Sequence, residues 1–202
     1  LTEMIEPKKT VPTTFEFTDI AGLVRGASRG EGLGNKFLGN IRETDAICEV
    51  VRCFRDKDVT HVDGDVDPIR DIEIINLELM LADLEVINNR IGKIGKKASM
   101  SKDKEVIREV NVLNKLKESL EKNIPVRQLE FNDDELKLVK SFNLLTIKPI
   151  IYMTNVSEED LISDDNEYVK MVREYAAKEK SEVVVVSAKI ESELVDLTDE
   201  ER

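Results

Sequence analysis

Apolar and polar positions change their spacing several times along this chain, and each change marks an element. Residues 14–20 alternate apolar and polar side chains, with Phe15, Phe17 and Ile20 among Thr, Glu and Asp, as a half-buried strand does. A glycine-rich stretch with Gly26, Gly30, Gly32 and Gly34 follows. Leu33, Phe37, Leu38 and Ile41 then fall on one face of a helix. The run 46–54, rich in Ile, Val and Cys, predicts a second strand. Asp67-Pro68 predicts a helix start, with Asp as cap and Pro at the first helical position. Ile69, Ile72, Leu79, Leu84 and Ile87 carry that helix onward.

The texture then shifts. Val106, Val110, Leu113, Leu116 and Leu120 recur at spacings of three and four among Lys and Glu, which predicts a helical seam. With the preceding helix it makes an antiparallel hairpin whose tip is expected at residues 92–101. Asn132 and Glu135 have capping-box spacing for a further short helix. The α/β texture resumes with a short strand at 150–154, a helix over about 167–180, and the run Val183-Val184-Val185-Val186, which predicts a strand buried on both faces. Strands alternating with helices predict an α/β fold with a mostly parallel sheet and ligands at its carboxyl edge. The hairpin interrupts that sheet. The expected organisation is a partial α/β domain from 1–83 and 141–202, with a helical insertion at 84–140.

Composition narrows the class. The 202 residues are 41% hydrophobic and 36% charged, enough chain for one globular domain carrying an insertion. With no Trp and only 4% aromatics, stacking platforms for single-stranded nucleic acid are not a theme. The net charge of −12 is uneven. From 85 to 122 there are ten Lys or Arg against six Asp or Glu, a local +4 that leaves −16 for the rest. A basic arm on an acidic body says more than the total. Cys48 and Cys53 are an odd five positions apart in a strand-like run, so they face opposite ways and neither pair nor share a metal. They read as reduced core thiols of a cytoplasmic protein. His61 is the single histidine, which excludes a histidine-cluster metal site. No apolar stretch approaches spanning length, so no membrane partner is expected. The first residue, Leu1, is not Met, and the chain reads as a fragment or a processed product.

Chemistry is expected just beyond each strand. After the first comes Asp19-Ile20-Ala21-Gly22, a D-x-x-G; such an Asp holds Mg²⁺ through water, and such a Gly brings its backbone N–H to a terminal phosphate. Singly this is also what a strand-ending Asp and a turn Gly look like. After the third comes Asn155-Val156-Ser157-Glu158, an amide and a carboxylate three residues apart, which reads as a base-recognition turn or as a plain helix cap. After the fourth, Ser187-Ala188-Lys189 offers a backbone N–H to a purine edge. Three such signals in order are far more specific than any alone. Lys93, Lys96, Lys97, Lys102 and Lys104 cluster toward the hairpin tip and suit phosphates, though exposed hairpins are often Lys-rich for solubility alone.

These residues carry a resemblance. The run from Asp19-Ile20-Ala21-Gly22-Leu23-Val24 through Gly26-Ala27-Ser28-Arg29-Gly30-Glu31-Gly32-Leu33-Gly34-Asn35-Lys36-Phe37-Leu38 to Ile41-Arg42-Glu43-Thr44-Asp45-Ala46 resembles the YchF subfamily of Obg-related P-loop NTPases, the Obg-like ATPases. The helical insertion and the N-V-S-E turn match as well, so the resemblance spans the chain. It implies Mg²⁺-dependent hydrolysis of ATP or GTP and association with the ribosome or RNA. It implies Gly22 for phosphate, Asp19 for the metal, and Asn155, Val156, Glu158, Ser187 and Ala188 for the base. Gly26–Gly34 would be the second switch loop, whose glycines permit rearrangement. Leu23 stands where Ras-like enzymes place a water-orienting Gln, a hydrophobic substitution the family is known for.

The sequence contains no G-x-x-x-x-G-K-[ST]. The family's P-loop strand and first switch are expected upstream of Leu1, and its TGS domain downstream of Arg202. The sheet is therefore expected to be incomplete on its N-terminal side, and the chain by itself to self-associate. Two rival readings use the same residues. One is a non-catalytic RNA- or ribosome-binding module working through the basic hairpin, and the other is an inert structural fragment.

Overall fold

Three parallel strands in the order β1-β2-β3 make the sheet: β1 (Ile47–Arg52), β2 (Ile150–Asn155) and β3 (Glu182–Val186). The register sets Arg52 beside Asn155 and Asn155 beside Val186, so the three carboxyl ends lie level. The structure is a computed structural model that describes residues 14–20, 33–56, 65–100, 103–162, 166–195 and 197–198. Gly22, Leu23, the glycines at 26, 30 and 32, His61 and Lys102 lie outside the described residues.

Helix α1 (Leu33–Arg42) precedes β1, and α2 (Pro68–Met100) follows it. Asp67 caps α2 as the sequence predicts, its carboxylate accepting from Arg70 N at 3.1 Å. The 33 residues of α2 run unbroken for about 50 Å. Helix α3 (Lys104–Glu121) returns antiparallel along it, capped by Asp103. The expected tip at 92–101 is therefore corrected: those residues up to Met100 stay helical, and the next helix begins at Lys104. Each of Gly92 and Gly95 costs the helix about 1 kcal/mol in backbone entropy, and the packing of their neighbours Ile91 and Ile94 against the hairpin core offsets it.

A 3₁₀ turn (Val126–Gln128) and α4 (Asp133–Ser141) close the hairpin. Asn132 and Glu135 form the full capping box, each side chain bonded to the other's backbone N–H. Val112, Leu113, Leu116 and Leu120 of α3 pack with Ile87 of α2 in one buried cluster that also takes in Val139 and Phe142. The position 84 expected as a boundary falls inside α2. The first turns of that helix join the sheet through Ile72, and its later turns join the hairpin through Met80 and Ile87.

The chain continues through β2, α5 (Glu158–Ile162), α6 (Glu167–Glu179), β3 and α7 (Ala188–Leu194). Only one face of the sheet is covered by described residues. Tyr152, Ile150 and Val51 pack there against Ile72 of α2 and Val169, Val172 and Ala176 of α6. On the other face Val50 is 64% exposed, Val184 45% and Ile151 40%. The expectation that 183–186 is buried on both sides is thus corrected: β3 is an edge strand, wet on one face. Residues 14–20 are corrected too. They form no strand, and Phe15 and Phe17 are both exposed. An alternating segment becomes a strand only when an edge accepts its hydrogen bonds, and it meets none among the described residues.

Candidate functional site

A cleft of about 850 Å³ opens off the carboxyl edge of the sheet. One wall is the segment 53–56 leaving β1, and the floor is the turn 155–160 after β2. The other walls are the start of α6, with Asn166 and Tyr168, and the turn at Ser187 and Lys189 after β3. Strands in parallel register end together, so the turns that leave them meet at one place.

Backbone and side-chain bonds fix these turns to one another. Cys53 N donates to Asn155 O at 2.8 Å, and Val156 N to Val186 O at 2.9 Å, which extends the ladder past the strand ends. Asn155 Oδ1 accepts from Ala188 N at 2.9 Å, locking the turn after β2 to the first residue of α7. With its oxygen so engaged, the Asn155 amide keeps its two N–H donors for other partners. Ser157 caps α5: its hydroxyl accepts from Asp160 N at 3.2 Å and donates to Asp160 Oδ2 at 2.8 Å. Glu158, the first residue of α5, pairs through Oε1 with Lys189 Nζ. That pairing holds the Lys189 ammonium pKa above its ordinary value, by hydrogen bond and then by charge. Asn166 caps α6 through Val169 N and donates to Cys53 O at 2.9 Å, so α6 is tied to the end of β1. Arg55 Nε donates to Tyr168 OH at 2.7 Å across the mouth.

Ser187 is 1% exposed, and its Oγ finds no partner among the described residues, although the hydroxyl lies at the wall of a polar cleft. An unbonded buried hydroxyl costs roughly 1–3 kcal/mol, which a ligand that bonds it would recover. Cys53 is buried and its thiol is pushed up to about 12 by desolvation, so it is an inert core group as expected, whereas Cys48 is not in the core: it lies exposed on the other face of β1.

The base set expected from sequence therefore comes together. Asn155, Val156, Glu158 and Ser187 line the cleft, and Ala188 is bonded to Asn155. Asp19 does not join them. It lies exposed in the irregular segment 14–20 and is no part of the cleft. Among the described residues no group of three His, Cys, Asp or Glu side chains could hold a metal ion. They do not assemble a Mg²⁺ site, and no chemical step is derived through one. Lys93 and Lys104 are exposed on the hairpin, and Lys96 and Lys97 lie in α2. Lys104 also borders a groove of about 510 Å³ between α3 and α4, whose cations Arg108 and Lys115 already pair with Asp134 and Glu135. Sequence reading missed Arg55, Asn166 and Tyr168. Arg55 had a usable signal, since it too sits just past a strand. Asn166 and Tyr168 reach the cleft only because α6 folds back over β1.

No family model matches the sequence. Fold and cleft nevertheless define the class, an α/β domain whose parallel sheet is of the P-loop NTPase type. A solved structure, the YchF GTPase of Schizosaccharomyces pombe, superposes with a TM-score of 0.81 at 36% identity, covering 99% of this chain and 55% of that one. The ribosome-binding ATPase YchF of Bacillus subtilis is 58% identical over 203 residues, and that of Haemophilus influenzae 50% over 202. The match takes in 100% of this chain and 55% of each relative, so the chain spans about half the length of the curated relatives it matches. Over its whole length the chain is similar to members of the YchF family.

Proposed function

We propose that this chain contributes the base-binding half of a nucleoside-triphosphate site in a ribosome-associated ATP or GTP hydrolase that works as a switch in the cytoplasm. The observation that carries the reading is the bond from Ala188 N to Asn155 Oδ1, which joins the turns after β2 and β3 into one polar cleft at the sheet's carboxyl edge. The names of the relatives, ribosome-binding ATPase and GTPase, support the activity and the partner. Asn155 and the Ser187 hydroxyl offer donors and acceptors to a purine edge, Glu158 sits beside that edge, and Val156 and Ala188 offer backbone. Gly22 would meet the terminal phosphate and Asp19 a hydrated Mg²⁺, on the family pattern. Residues 84–140 act as a separate helical unit in this reading, carrying its basic tip toward RNA.

The test is titration of ATP and GTP into a chain extended upstream to the relatives' length, beside the 202-residue chain. The extended chain is expected to bind and turn over nucleotide. The 202-residue chain, which has no G-x-x-x-x-G-K-[ST], is expected to show no appreciable turnover, because that loop's N–H groups and Lys supply most phosphate affinity. Equal turnover by the two overturns this division of labour. Absence of binding by the extended chain overturns the function itself. RNA binding by the hairpin at low salt, with no nucleotide binding, would favour the non-catalytic reading.

A further inference from the structure

Base choice turns on one carboxylate and on where it is held. Guanine presents two adjacent donors, its ring N–H and exocyclic amine, which a carboxylate accepts together. Adenine presents a ring acceptor at the same edge, which a carboxylate opposes. Glu158 is the only acidic residue of the Asn155–Glu158 turn. Its Oε1 is engaged by Lys189, which sits on the neighbouring turn. That turn is not free to drift, because Ala188, the residue before Lys189, is fixed by its bond to Asn155.

We propose that Lys189 is a positioning residue for base choice: by pairing with Glu158 it withholds the carboxylate from a bound purine's edge and so favours adenine over guanine. The inference rests on the base-binding reading above and adds the device that sets its selectivity. The Lys189 side chain is 72% exposed and that of Glu158 43%, so the tie is weak and screened by salt. The effect is therefore a tuning of about two- to fivefold in relative affinity, the range of an exposed ion pair.

The test is competition of ATP and GTP against a fluorescent nucleotide on the upstream-extended chain, in wild type, Lys189→Met, Lys189→Arg, Glu158→Gln and the double variant Glu158→Gln/Lys189→Met. Lys189→Met is expected to raise GTP affinity relative to ATP by about two- to fivefold, and Lys189→Arg to keep the wild-type ratio. In the Glu158→Gln background the methionine is expected to change nothing. Raising salt is expected to move the wild-type ratio toward that of Lys189→Met. A structural role for Lys189 would weaken both nucleotides alike, leave the ratio unmoved and overturn the proposal. The same ratio change in the Glu158→Gln background also overturns it. Failure of wild type to bind either nucleotide is a different result: it removes the base-binding reading, and this proposal with it.

Discussion

Arg127 Nη2 donates to Glu179 Oε2 at 2.9 Å across 52 residues of sequence, and the two side chains are only 7% and 5% exposed. The pair joins the 3₁₀ turn that closes the hairpin to the last turn of α6. Around it Arg127 also bonds Asn76 Oδ1 of α2 at 2.8 Å, while Tyr152 OH of β2 donates to Glu179 Oε2 at 2.9 Å. Hairpin, sheet and α6 thus share one buried polar junction. Burial pushes the Tyr152 phenol well above its ordinary range and that of Tyr175 up to about 12, so both stay neutral, Tyr152 donating to Glu179 and Tyr175 accepting from Asn76 Nδ2.

Removing one member of that pair strands the other. Arg127→Met is expected to destabilise the fold by about 3–5 kcal/mol, since it leaves the Glu179 charge buried without its partner. Denaturant unfolding measures this. A loss below 1 kcal/mol would mean that the junction is wet in solution.

Glu49 lies beside the same junction. Its carboxyl end is deeply buried although the residue is half-exposed overall, and Oε2 has no hydrogen-bond partner. Desolvation lifts its pKa from 4.5 to about 8, with Arg127 lowering it and Glu179 and Asp71 raising it. The folded chain therefore holds a proton that the unfolded chain releases above 4.5. Stability from this group is full below that value, falls as pH rises toward 8, and is level beyond. Glu49→Gln is expected to remove this slope, matching wild type near pH 4.5 and exceeding it by up to about 4 kcal/mol at pH 8. Unfolding curves of both proteins across that range give the difference directly. Parallel curves would place Glu49 in water.

Restoring a guanine-type turn has a structural cost. Glu158→Asp with Ser157→Lys is expected to raise GTP affinity relative to ATP in the upstream-extended chain, because the shorter carboxylate no longer reaches Lys189. Ser157→Lys also deletes the α5 cap, a loss of about 1 kcal/mol in local stability. Glu158→Asp alone should therefore shift the ratio with less loss of binding. Unchanged competition curves in both variants would remove Glu158 from base choice.

The wet face of the sheet should make the isolated 202-residue chain sticky. Val50, Ile151 and Val184 lie on that face, and an apolar sheet face in water associates. Val50→Lys with Val184→Lys is expected to lower the apparent mass in light scattering without lowering the melting temperature by more than a few degrees. A monomeric wild-type chain would show that this face is covered in solution.

Local pattern was enough for much of the fold. The Asp67-Pro68 start of α2, the Asn132–Glu135 box and the α3 seam were legible because caps and helical faces depend on residues within one or two turns. The motifs after β2 and β3 were legible for a related reason, while the one after residues 14–20 follows no strand. In a parallel sheet every ligand-facing turn follows a strand, so order along the chain already ranks them. The sequence could not decide whether residues 14–20 become a strand, because alternation supplies a face but not the edge that must pair with it. Nor could it place the hairpin turn, since Gly92 and Gly95 break a helix only where packing does not hold it. The tie between Glu158 and Lys189, the meeting of Arg127 with Glu179, and the arrival of Asn166 and Tyr168 at the cleft were decided by tertiary structure alone. Each joins residues far apart in sequence, and the free energy that brings them together comes from burying the apolar faces of α2, α6 and the sheet, not from anything in the local pattern of either partner.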